Sequence, residues 1–153
     1  MTQKTVVDVL LVDDNDVMRT VLRGILVGDV YRMAGEANNG ETALELALRL
    51  KPDLICLDIE MPKINGIEVL KQVKESLPLT AVVMVTGSIA RETVQAAIAG
   101  GADGYIVKPF NTGRVFAAVD AAVAKMRAKK QAAAKQPPAA APAGEVVKVA
   151  AVK

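Results

Sequence analysis

The chain has 153 residues, 52% of them apolar and 3% aromatic, with a formal net charge of +2. That is one domain's worth of core with a short remainder, and it excludes collagen-like, fully disordered and disulfide-stapled classes. There is no His and a single Cys, Cys56, which excludes an internal disulfide, a zinc site of usual composition and a Ser-His or Cys-His catalytic pair.

The start, MTQKTVVDVLLVDD, meets Lys4 and Asp8 before any apolar run reaches the length of a secretory signal. No later stretch approaches the ~20 apolar residues that span a bilayer, so a cytoplasmic protein with no membrane contact is expected. Val6 to Val12, broken only by Asp8, has the pattern of a strand buried on both faces. A helix follows, with apolar positions at Val17, Met18, Val21, Leu22, Ile25 and Leu26 turned inward. Tyr31 to Ala37 is a weaker strand, followed by a helix with Ala43, Leu44, Ala47 and Leu50. Leu54 to Leu57 is the third strand, with Cys56 a buried core thiol, and its helix carries Ile67, Leu70, Val73 and Leu77. Ala81 to Val85 leads to a helix with Val94, Ala97 and Ile98. Tyr105 to Val107 leads to one with Val115, Phe116, Val119, Ala122, Val123 and Met126. Met18, Met33, Met61 and Met84 read as packing residues.

Five strands alternating with five helices predict right-handed crossovers and an α/β fold: a five-stranded parallel sheet, doubly wound, with helices on both faces. The eight-unit barrel would need about 250 residues. Residues 1–127 make up this domain. Residues 128–153 are a tail rich in Ala, Lys and Pro, with five Lys against one Glu, leaving 14 basic and 16 acidic residues for the domain. Its first part, to about Lys135, is all good helix former and prolongs the last helix until Pro137-Pro138 stops it. The rest is expected to be disordered.

Ligands in open α/β sheets lie outside the carboxyl ends of the strands. Strand one ends in Asp13-Asp14, strand three in Asp58, strand four in Thr86 and strand five in Lys108. Taken singly, each has a plain structural explanation: Asp14 or Asp16 as the cap of the first helix, Asp58 opening a turn before Met61-Pro62, Thr86 starting a loop, Lys108 a solvated charge beside Pro109. Parallel pairing nevertheless brings all four ends to one edge. Two unit charges 4 Å apart repel by about 4 kcal/mol at an effective dielectric near 20, and one Lys does not offset three carboxylates. Mg²⁺ with carboxylates, waters and a substrate phosphate does. Carboxylate, Mg²⁺, Lys and hydroxyl together suit phosphoryl transfer, with Asp58 as nucleophile and an acyl phosphate as product.

From residue 5 to about 127 the chain resembles the CheY-like receiver domain of two-component response regulators. The resemblance lies in LLVDDN at 10–15, NGETALELA at 39–47, PDLICLDIEMPKINGIEVL at 52–70, VVMVTG at 82–87 and GADGYIVKPF at 101–110. Its most specific part is D-x-x-M-P-x-x-x-G from Asp58 to Gly66, followed by the Thr and the Lys-Pro. The resemblance implies strand order 2-1-3-4-5 and Asp58 as phosphoacceptor. It also implies Mg²⁺ held by Asp13, Asp14 (the more direct of the pair), Asp58 and the backbone carbonyl of Glu60. Lys108 would pair with phosphoryl oxygens, next to a cis Lys108-Pro109 bond. Thr86 and Tyr105 would form a switch pair that reshapes the face of helix four, strand five and helix five.

The implied partners are a sensor histidine kinase or His-phosphotransfer protein, which must supply the phosphodonor histidine, and an unidentified downstream effector. The chain would act as a monomer or a phosphorylation-dependent dimer, a signalling switch that catalyses its own phosphorylation and dephosphorylation. Glu60 departs from the commonest pattern and can reach the site mouth, where it would modulate the attacking water and so the acyl-phosphate lifetime. The tail is too short for a DNA-binding output domain, so a stand-alone receiver without specific nucleic-acid binding is expected.

Two rivals remain. A haloacid-dehalogenase-type phosphatase also uses a nucleophilic Asp, an acid two residues later (here Glu60), a Thr or Ser and a Lys. The Asp13-Asp14 pair, the missing cap insertion and the small size oppose it. A tail-mediated binding or assembly protein, with the receiver as scaffold, would bind nucleic acid or an acidic surface weakly and salt-dependently through its lysines. The aromatic content disfavours flavin.

Overall fold

The computed structural model describes residues 6–135. The elements are β1 (Val7–Val12), α1 (Asp16–Leu26), β2 (Tyr31–Ala37), α2 (Gly40–Leu50), β3 (Leu54–Asp58), α3 (Gly66–Ser76), β4 (Ala81–Thr86), α4 (Arg91–Ala99), β5 (Gly104–Val107) and α5 (Thr112–Lys135). All strands pair in parallel in the order β2-β1-β3-β4-β5. The order reverses direction beside β1: the chain leaves it for β2 on one side and returns to β3 on the other, which opens a crevice between the β1 and β3 carboxyl ends.

Side chains alternate along a strand, so a run that is apolar throughout feeds two cores. On one face Val7, Val9, Leu11, Leu54, Cys56, Val83, Val85 and Ile106 meet Leu22 and Leu26 of α1 and Val115, Val119, Val123 and Met126 of α5. On the other, Leu10, Val12, Ile55, Leu57, Val82 and Met84 meet Ala43 and Ala47 of α2, Val69, Leu70 and Val73 of α3, and Ala97 of α4. Each large apolar side chain buried this way contributes about 1.5–3 kcal/mol. The strand ends are therefore held by two packed layers.

Two details differ from the sequence expectation. The α1 stripe is narrower: Leu22 and Leu26 are buried, whereas Val17 and Val21 are 65% and 40% exposed, and Ile98 on α4 is 67% exposed. At 100° per residue, adjacent apolar positions cannot all face one sheet. The α1 cap is neither Asp14 nor Asp16 but Asn15, whose side chain accepts from the Val17 and Met18 amides. Asn39 and Asn65 cap α2 and α3 in the same way. Tight caps keep the connections short, the longest being the seven residues 59–65.

Among the described residues no helix is long and apolar enough to cross a membrane. Helix α5 runs to Lys135, with Lys130 Nζ 3.1 Å from Asp53 Oδ1 and Lys129 Nζ 3.6 Å from Asp103 Oδ1. The expectation of a disordered tail falls on residues 136–153, outside those described.

Candidate functional site

Asp13 follows the last residue of β1, and Asp58 closes β3. Both are buried, Asp13 at 1% and Asp58 at 2% exposure, while Asp14 is exposed. One oxygen from each of the three lies within 4.8 Å of the other two. Lys108, just past β5, reaches into this group with Nζ 3.2 Å from Asp13 Oδ2 and 3.5 Å from Asp58 Oδ1. Ninety-five residues separate Asp13 from Lys108, so the topology alone brings them together. The Asn15 amide donates to Asp13 Oδ1 at 2.8 Å. The amide of Glu60, itself exposed, donates to Asp58 Oδ1 at 3.3 Å.

Burial and then the neighbouring Asp13 charge push the Asp58 carboxyl up to about 6, against the opposing pull of Lys108 and of the Glu60 amide. Burial disfavours charge on Lys108, but Asp58 and Asp13 outweigh it and hold the ammonium above its ordinary value. Three acids around one base leave an excess of negative charge. The donor set is all carboxylate oxygen, which suits a hard divalent cation. Oxygens on an octahedral Mg²⁺ at ~2.1 Å stand about 3–4 Å apart, a spacing this cluster can meet with small side-chain movements.

Thr86, fully buried, ends β4, and its carbonyl accepts from the Lys108 amide at 2.7 Å. Thr86 and Tyr105 share no direct hydrogen bond among the described residues. They are joined through Ser88, whose amide donates to Thr86 Oγ1 at 3.1 Å and whose carbonyl accepts from the Tyr105 hydroxyl at 2.9 Å. Burial, then Glu60, raises the Tyr105 hydroxyl above its ordinary pKa. Gly87 needs no special backbone conformation and has open space at its Cα. The Lys108-Pro109 peptide is cis.

Three further residues shape the site. A Cβ on Gly66 would lie 2.1 Å from the Asp58 carbonyl oxygen and 2.7 Å from Ile59 Cα, while the Gly66 amide donates to the Ile59 carbonyl at 2.8 Å. Only glycine lets α3 start this close to the β3 end. The D-x-x-M-P-x-x-x-G pattern contains that signal. Ser88 and Arg19, which contacts the Asp13 carbonyl at 2.7 Å, act through backbone atoms and carry no sequence signature.

The sequence matches the model of the response regulator receiver domain over residues 9–120. The chemotaxis protein CheY of Thermotoga maritima is 39% identical over 112 residues, covering 73% of this chain and 93% of that one. The REC domain of AraT, a response regulator from Geobacillus stearothermophilus, is 32% identical with a TM-score of 0.69, over 85% of this chain and 99% of the other. A chain of the CheX-CheY-BeF3-Mg²⁺ complex from Borrelia burgdorferi is 29% identical with a TM-score of 0.71, over 74% and 86%. The chain belongs to the response regulator receiver family of two-component signalling. Domains of this family act as signalling switches, use Mg²⁺ in general and interact with kinases and effectors.

Proposed function

We propose that this chain accepts a phosphoryl group on Asp58 in a Mg²⁺-dependent reaction and passes the signal on through the face formed by α4, β5 and α5. The observation that carries this is the gathering of Asp13, Asp14, Asp58 and Lys108 from three separate strand ends. The donor is a phosphohistidine on a sensor kinase or phosphotransfer protein, since the chain has no His. An Asp58 carboxylate oxygen attacks phosphorus; a P–O bond forms as the P–N bond breaks, and the imidazole leaves with the electron pair and takes up a proton. Asp13, Asp14 and Asp58, with the Glu60 carbonyl, would hold Mg²⁺, which when bound offsets the charge of the phosphoryl oxygens. Lys108 stands beside Asp58 Oδ1, where its ammonium meets part of the same charge. Water later releases phosphate, at a rate that exposed Glu60 modulates.

The readout runs through Thr86. A phosphoryl group on Asp58 accepts from the Thr86 hydroxyl and draws it toward the site, away from the Ser88 amide from which Thr86 Oγ1 accepts, and the Ser88 carbonyl is the group that accepts from Tyr105. Ile89 and Ile98, 76% and 67% exposed, give the affected face apolar contacts for an effector. The short connections between elements favour a receiver over a capped phosphatase. Incubation with a radiolabelled small-molecule phosphodonor tests the proposal. At most one phosphate per chain is expected, lost with chelator and in Asp58→Asn; sustained turnover of many esters per chain supports the phosphatase instead.

A further inference from the structure

Arg19 lies near the start of α1, and its guanidinium spans three separate parts of the fold. Nη1 donates to the Asp13 backbone carbonyl at 2.7 Å, Nε to Glu36 Oε1 at 3.1 Å and Nη2 to Asp16 Oδ1 at 2.6 Å. Asp13 ends the β1 side of the connecting turn, Asp16 begins α1, and Glu36 belongs to β2. The Arg19 side chain is only 16% exposed, and Glu36 is fixed a second time by Arg23. The planar, rigid fork of arginine suits this task, since its donors diverge in a set geometry that lysine lacks.

Asp14 sits between the two points that Arg19 ties down. The Asn15 amide closes the turn onto the Asp13 side chain from one side, and Arg19 closes it onto the Asp13 carbonyl from the other. Asp16 and Glu36 balance the Arg19 charge, so its proximity does not by itself oppose a cation. We infer that Arg19 is a positioning residue: braced on Glu36, it sets the Asp13-Asp14 turn so that both carboxylates point at one Mg²⁺. This rests on the reading of the acidic cluster as a Mg²⁺ site. Partners of this kind, behind the ligands themselves, commonly govern affinity by 10- to 100-fold.

Arg23 provides the control. It shares Glu36 with Arg19 but does not touch Asp13, so its loss weakens the same ion network without freeing the turn. Calorimetric titration of the full chain with MgCl₂ should show Arg19→Ala binding about 10-fold more weakly, Arg23→Ala unchanged, and Arg19→Lys in between. If Arg19→Ala does not fold, Arg19→Lys carries the test alone through its weaker binding. Equal affinity of the Arg19 variants and the unsubstituted chain overturns the inference, as does an equal loss in Arg23→Ala. Absence of Mg²⁺ binding by the unsubstituted chain overturns the reading of the site, and the inference with it.

Discussion

Asp58 holds its proton more tightly in the folded chain than in the unfolded one, because burial and Asp13 push its carboxyl up to about 6. Between the ordinary carboxylate value near 4 and that value, the folded state binds more protons. Stability without divalent ions therefore falls as pH rises through that window and stays lower above it. Asp58→Asn removes the penalty, and chemical denaturation in chelator should find it about 3 kcal/mol more stable at pH 7 with no difference below about pH 4. An unchanged or lower stability at pH 7 would show that Lys108 already compensates the charge. Gly66→Ala forces a Cβ against the Asp58 carbonyl. It should lower stability by about 2–4 kcal/mol, within the range of severe steric substitutions, and abolish phosphate incorporation in whatever remains folded. Asp13, Asp58, Thr86 and Lys108 were legible in the sequence because each follows an apolar run. Arg19 and Ser88 were not: Arg19 reaches the site through the Asp13 main-chain carbonyl and Ser88 through its own main-chain amide and carbonyl, contacts that only the folded turns present.

Among the elements, the strands were readable to within a residue: a largely apolar run admits little besides a strand covered on both faces, while β2, with Arg32 and Glu36 in a partly exposed strand, carried the weaker signal. The helices were readable in place but not in facing. The six apolar residues of α1 cover more of its circumference than the sheet can accept, which leaves Val17 and Val21 outside. Helix α5 shows a further limit. The family match ends at residue 120, yet Val123 and Met126 are buried, and Lys129 and Lys130 reach Asp103 and Asp53. The backbone amides of Asp8 and Val82 also donate to those two buried carboxylates. Cutting after Arg127 should lower stability by about 1 kcal/mol, since both lysines are half exposed and each pair counts for little. Cutting after Lys135 keeps both lysine contacts and is the reference. Equal thermal midpoints for the two truncations would mean that the lysine contacts add nothing.

Across the molecule, two packed layers fix the strand ends, and the functional side chains stand on or beside the connections that follow them. The reversal of strand order beside β1 places the acidic group at the mouth of a crevice, and the Thr86-Ser88-Tyr105 chain of hydrogen bonds leads from it toward α4. Beryllofluoride with Mg²⁺ should therefore change amide exchange at residues 86–94 and 104–108 and spare α2. A response spread evenly over the sheet would argue against a localised switch. The most direct test of the acceptor is to treat the chain with acetyl phosphate and Mg²⁺, reduce with borohydride and sequence the peptides. Homoserine at position 58, and none when the metal is chelated, is the predicted result. Homoserine at another carboxylate, or undiminished labelling of the Asp58→Asn variant, would contradict it.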